Sequence, residues 1–269
     1  MKTPSILVRR YRYSIILLRQ MVVTDFKLRY QGSVLGYLWS LLKPLALFSI
    51  LYLVFVRFLK IGISPTYLLL GIVIWSYFVE VTNNSVRAIV DRDELIRKID
   101  FPRYVIVLAT AMSSLINLML NLLVVGIFIA FTQSHFDWYS LLYAPLLILQ
   151  LFILSLSMAF FLSALYVRFR DFVYIWEVFL QAAFYATPII YPLSKVPPEY
   201  AKWLSLSPMA QIIQDLRYVL IQPQDLTLTL THFFASPWVR LIPIGLTLLI
   251  ALGAALYFRH HAKYFAEDV

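Results

Sequence analysis

Cysteine is absent from this chain. That excludes disulfides, thiolate metal sites and a cysteine nucleophile. Charge is scarce too: 14% of the 269 residues are Asp, Glu, Lys or Arg, against roughly a quarter in a soluble globular domain. Long segments hold almost no charge, so a soluble core is not a serious alternative. The seven glycines stand at 32, 36, 62, 71, 126, 245 and 253. None opens a run ending in Lys-Ser or Lys-Thr, so the phosphate-binding P-loop is missing and any ATP hydrolysis falls to a partner. No Ser, His and Asp arrangement suggests a hydrolase. No internal repeat supports the inverted-repeat plan of many secondary transporters. Lys2, Arg9, Arg10, Arg12 and Arg19 are spread through the N-terminus without a small-residue cleavage site, unlike a cleavable signal peptide.

What fills the chain is apolar: 61% of it. A helical span needs about 20 mostly apolar residues, and segments 36–58, 66–88, 104–131, 141–167, 172–190 and 239–258 meet or approach that length. The expected fold is an all-α integral membrane protein with about six transmembrane helices. Lys43 and Pro44 interrupt the first span near its start; Lys43 can snorkel to the headgroups. Residues 191–237 hold Pro192, Pro197, Pro198, Pro208, Pro223 and Pro237 and a short amphipathic run at 209–220. They read as short re-entrant or gate helices. In the basic segment 1–35, Ile15, Leu18, Val22 and Phe26 recur at helical spacing opposite Gln20, Thr24, Lys27 and Gln31, as in an amphipathic helix lying at the membrane interface.

Lys and Arg set the orientation. With the N-terminus inside, sixteen of the 23 basic residues fall on the cytoplasmic side, so both termini are expected in the cytoplasm. The net charge of +9 is then topological, and no nucleic-acid partner is expected. The expected organisation is an N-terminal segment 1–35, a membrane domain 36–258 and a cytoplasmic tail 259–269, with a charged loop at 87–103 and an outer gate region at 191–237.

Few residues suggest chemistry. In the 87–103 loop, Leu95, Ile96 and Ile99 can share one face of a short helix among charges, before Pro102 ends the turn. That is either a docking knob for a soluble partner or a solvated run enforcing topology. Acids inside spans are expensive: Glu80 and Glu177 serve either a proton relay or ion pairs with basic residues. Trp75, Tyr77 and Phe78 cluster in the second span, and Trp176, Phe184, Tyr185 and Tyr191 follow along the fifth. Such rings either face lipid and the interfacial belts or stack on the C–H faces of sugars. The adjacent His260 and His261 point different ways on a helix and make a poor metal site; none is expected.

The run from Asp25 to Trp39, including Asp25, Lys27, Arg29, Tyr30, Gly32 and Gly36, followed by Pro44, resembles the N-terminal motif of ABC exporter permeases for polysaccharides and polyol phosphates, the family of O-antigen, capsule and teichoic acid permeases. Glu94, Leu95, Ile96, Arg97, Lys98, Ile99, Asp100, Phe101 and Pro102 resemble its segment coupling to the ATPase. Residues 168–171, 187–192 and 207–209 resemble its loop before the fifth span and its outer gate; Ser207 departs from an expected Asn. The resemblance covers nearly the whole chain. It implies a homodimer in the cytoplasmic (inner) membrane, two ATP-binding-cassette subunits that bind ATP and Mg, no cofactor in this chain, and a lipid-linked polysaccharide cargo. It makes Trp75, Tyr77, Phe78, Asn83, Asn84, Tyr185 and Tyr191 candidate channel lining, and Asp25, Lys27, Arg29 and Tyr30 part of the helix where the cargo enters. The alternatives are an ABC permease for a small molecule or drug, a membrane-embedded glycan-processing enzyme, or a scaffold.

Overall fold

Several helix starts and stops follow local chemistry. The structure, a computed structural model, describes residues 4–29, 31–92, 102–131, 142–221, 227–234 and 236–262. Every regular element among them is a helix. α1 covers Pro4–Leu28, and Gly32, at φ +79°, turns the chain out of it. α2 covers Leu38–Leu51 and widens into a π-helical turn at Tyr52–Phe58. α3 covers Pro65–Val86: Pro65 opens it, and the Ser64 hydroxyl caps it by accepting from the Tyr67 amide at 3.2 Å. α4 covers Tyr104–Phe131, α5 Tyr143–Arg168 and α6 Phe172–Ala186. Three short helices follow: α7 at Pro198–Ser205, α8 at Pro208–Leu220 and α9 at Leu230–Phe233. α10 covers Leu241–His261.

Among the described residues, five helices are long and apolar enough to cross a membrane: Leu38–Phe58, Pro65–Val86, Tyr104–Phe131, Tyr143–Arg168 and Pro237–His261. The chain is a multi-pass membrane protein. The expected span at 172–190 is shorter than its apolar run. Thr187 is extended, at ψ 139°, because Pro188 follows it. The 15 residues of α6 rise only about 22 Å of the ~30 Å hydrocarbon core.

α3 is the centre of the bundle. Its apolar window is 78% buried, whereas that of α2 is 6% buried. Apolar burial does not drive helix pairing in lipid, so close packing must. α4 supplies the small buried residues Ala109, Thr110, Ala111, Ser113 and Ser114, and α5 supplies Ser155, Ala159, Ser163 and Ala164. Their hydroxyls are partly satisfied within the helix, as Thr110 to the Ile106 carbonyl at 3.1 Å. α5 and α10 run parallel, with Phe160 against Phe258 at 4.9 Å and Phe161 against Tyr257 at 5.2 Å.

α1 lies across one end of the bundle, where Met21 packs with Ala88, Val105, Ile106 and Ala109. The packed stripe is Ser14, Leu17, Leu18, Met21, Val22 and Asp25. Of the expected apolar face, Leu18 and Val22 pack on the bundle and Ile15 is exposed. α1 packs on the start of α4 and on Ala88 just after α3, and Arg92 after α3, Arg103 before α4, Arg168 on α5 and Arg259 on α10 stand at this end of the bundle. This basic end lies opposite a far end formed by the start of α3, α5 and α10 together with α8.

Candidate functional site

One face of α3 presents Val73, Tyr77, Glu80 and Asn84 at helical spacing. With α2 and α6 alongside, it forms a half-open groove of about 780 Å³. Trp75, Tyr77, Asn83, Asn84 and Tyr185, expected as channel lining, all line it. Ser40, Lys43, Asn121, Gln181 and Phe184 join them. Phe78 stands behind the groove surface.

The rings form a continuous series across α3 and α6. Tyr185 meets Phe184 at 5.3 Å, Phe184 meets Trp75 at 6.0 Å, and Trp75 meets Phe78 at 5.8 Å. Phe78 reaches Trp176 at 6.3 Å, which stacks on Phe179 at 5.0 Å. These separations fall in the favourable range for edge-to-face and offset contacts. Tyr191 takes another role. Its hydroxyl donates to the carbonyls of Tyr185 at 3.2 Å and Ala186 at 3.1 Å, capping the end of α6.

The polar wall is built around Glu80. It pairs with Arg29 from α1 and accepts from Asn117 Nδ2 at 2.9 Å. Arg29 Nη2 also reaches Ser114 Oγ at 3.4 Å and Ser113 Oγ at 3.5 Å. Of the two readings of Glu80, the structure supplies the ion pair. Two polar atoms at this wall, Tyr77 Oη and Asn117 Oδ1, have no hydrogen-bond partner among the described residues. Tyr77 lines the groove, and Asn117 lies buried behind it beside Glu80. Lys43, expected at the headgroups, lines the groove and makes no ion pair with a described residue. Glu177 lies on the exposed face of α6.

α1 has a second tie. Arg92 Nη2 donates to both carboxylate oxygens of Asp25 at 2.7 Å. Asp25 and Arg29 are one helical turn apart, so one face of α1 holds both the groove and the start of the 87–103 loop. Lys27 is exposed. Tyr30 and the run Glu94, Leu95, Ile96, Arg97, Lys98, Ile99, Asp100 and Phe101 lie outside the described residues. Pro102 is partly buried, and the Val105 amide donates to its carbonyl at 3.0 Å.

At the far end, Arg217 on α8 is fully buried. Its Nε donates to the Tyr67 carbonyl at 3.1 Å, Nη1 to Pro188 at 2.8 Å and Nη2 to Ile189 at 2.7 Å. Its Cζ sits 3.6 Å from the Tyr67 ring centroid. α8 is thereby fastened to α3 and to the turn after α6. Nothing in the sequence marked Arg217 for this role. Sequence reasoning also missed Asn117 and Asn121, whose one signal was a pair of amides a helical turn apart in an otherwise apolar span. Among the described residues, no group of three or more His, Asp or Glu could hold a metal ion.

Residues 16–221 match the family described as ABC-2 type transporter. The chain is 29% identical over 266 residues to a Myxococcus xanthus protein named O-antigen export system permease protein RfbA, covering 96% of this chain and 97% of that one. Two Klebsiella pneumoniae proteins of the same name are 29% and 28% identical over 197 and 198 residues, each covering 72% of this chain and 75% of its own length.

Proposed function

The chain belongs to the ABC-2 type transporter family, and on that premise we propose that it is the channel-forming subunit of an exporter that moves a lipid-linked polysaccharide across the cytoplasmic membrane. The observation that carries this reading is the groove on α3. It sets the rings of Trp75, Tyr77, Phe184 and Tyr185 beside the amides of Asn83, Asn84, Asn121 and Gln181 and the hydroxyls of Ser40 and Ser76. Aromatic faces hold sugar rings by their C–H surfaces, while amides bond to hydroxyls. Many weak contacts in a row let a polymer slide. The relatives named for O-antigen export point the same way.

In this reading α6 and the turn after it act as the sixth crossing. Two copies meet with their grooves facing, closing a channel that one copy leaves half open. The 94–102 segment seats in each of two ATP-binding-cassette subunits, which bind ATP and Mg. ATP-driven movement of that segment passes to α1 through Arg92 and Asp25, and from α1 to the groove through Arg29 and Glu80. Lys43, which pairs with no described carboxylate, gives the groove a cation suited to the phosphates of a lipid carrier. Segments 191–237 close the far end between strokes.

The test is complementation. The chain and its ATPase are expressed in cells lacking their own polysaccharide permease, and surface glycan is compared with the lipid-linked pool inside. Export by the wild type, with inside accumulation in Trp75→Ala and Tyr77→Phe variants that still assemble, supports the reading. Export indifferent to the groove variants sinks it. A glycan altered by the chain alone, without ATPase, would favour the membrane-enzyme alternative.

A further inference from the structure

A second cavity, of about 460 Å³, opens at the far end between α5, α8 and α10. Its walls are aliphatic, including Leu146, Leu149, Ile153, Ile244 and Leu248. Several of these are exposed sideways, where acyl chains lie. The floor is polar. Gln150, Gln211, Asp215 and Thr247 line it and are 9%, 4%, 7% and 2% exposed. Gln150 Nε2 donates to Gln211 Oε1 at 2.8 Å, and Gln211 Nε2 donates to Asp215 Oδ2 at 2.7 Å. The network leaves two open ends. Asp215 Oδ1 and Arg240 Nε are buried atoms without a hydrogen-bond partner among the described residues. Arg240 lines the same cavity, yet no ion pair joins it to Asp215. Buried polar atoms at membrane depth are costly unless matched. Here an open acceptor and an open donor of opposite charge flank one apolar cleft.

We propose that this cleft binds a single phospholipid whose head group carries both a phosphate and a primary ammonium, as an ethanolamine phospholipid does. The phosphate bonds to the Arg240 guanidinium, with the Tyr143 and Tyr218 rings at the same cavity. The ammonium donates to Asp215 Oδ1, and an acyl chain lies along the Leu146, Ile244 and Leu248 wall. A choline head group has no N–H for Asp215. An anionic glycerol head group brings no cation and sets its phosphate beside a carboxylate. The site needs the chain to sit in a bilayer, and it does not depend on which cargo is exported.

The experiment is native mass spectrometry of the purified full-length chain, titrated separately with palmitoyl-oleoyl phosphatidylethanolamine, phosphatidylcholine and phosphatidylglycerol. Each is compared with Leu248→Trp, which fills the cleft from its exposed wall. One ethanolamine lipid per chain is expected, lost in Leu248→Trp and favoured about tenfold over the other two, a difference of ~1.4 kcal/mol. Asp215→Asn is expected to erase the preference over phosphatidylcholine, and Arg240→Gln to weaken retention of all three lipids. Circular dichroism on each variant separates loss of binding from loss of fold. Equal retention of the three lipids, preference for phosphatidylglycerol, or retention unchanged in Leu248→Trp overturns the proposal.

Discussion

Gly71 on α3 leaves open the space that the Arg217 guanidinium fills. A Cβ at position 71 would overlap Nη2 and stand 3.2 Å from Cζ. The glycine is there for close approach, not for backbone freedom. It admits a buried cation whose three hydrogen bonds all go to main-chain carbonyls. Those carbonyls belong to the start of α3 and to the turn after α6, where helical bonding has ended.

Gly71→Ala and Arg217→Ala are therefore each expected to lower the detergent unfolding midpoint. Arg217→Ala strands buried carbonyls and is expected to cost on the order of 3 kcal/mol. The double variant should be less destabilised than the sum of the singles, because without the guanidinium the alanine methyl meets no obstacle. Additive losses would mean the two positions act independently.

Asp25 and Arg92 form a two-oxygen pair between α1 and the 87–103 loop. Asp25→Asn is expected to cost about 1 kcal/mol of stability but to cut stimulation of the partner ATPase by cargo more deeply. The charge-swapped pair Asp25→Arg with Arg92→Asp should recover coupling if the pair transmits it. ATPase rate with and without lipid-linked glycan is the readout.

Glu80 neutralises Arg29 inside the groove wall. Glu80→Gln leaves that guanidinium without its counter-charge and should destabilise more than the pair Arg29→Gln with Glu80→Gln. The penalty is expected at about 1–2 kcal/mol, below that of a fully buried pair because both side chains keep some solvent contact. Unfolding midpoints of the two variants decide it.

Trp75 bridges Phe78 and Phe184 in the aromatic series. Trp75→Ala is expected to slow export about 2- to 10-fold, the equivalent of losing one ring contact. Trp75→Phe should restore most of the rate, since a ring remains between its neighbours. Equal rates in the two variants would remove Trp75 from the cargo path.

The ring series shows how far local reading reached. Trp75, Tyr77, Asn83, Asn84 and Tyr185 stood out because polar and aromatic residues are conspicuous in apolar spans, and the structure brings them to one groove. Tyr191 was drawn into the same group by composition, although its hydroxyl serves the end of α6. A period alone did not say which side of α1 packs on the bundle: Leu18 and Val22 do, while Ile15 is exposed.

The sequence by itself determined that this is an all-helical membrane protein and where most helices run. Apolar length, proline and capping hydroxyls are local properties, and lipid accepts no backbone left unbonded. Tertiary structure alone decided which polar residues meet. Arg29 and Glu80 are 51 residues apart, and Arg217 and Tyr67 are 150 apart. Whether such groups face lipid, each other or a ligand depends on how the helices are rotated and stacked. That in turn is set by the shape of small residues at their contacts, which no periodicity along one helix records.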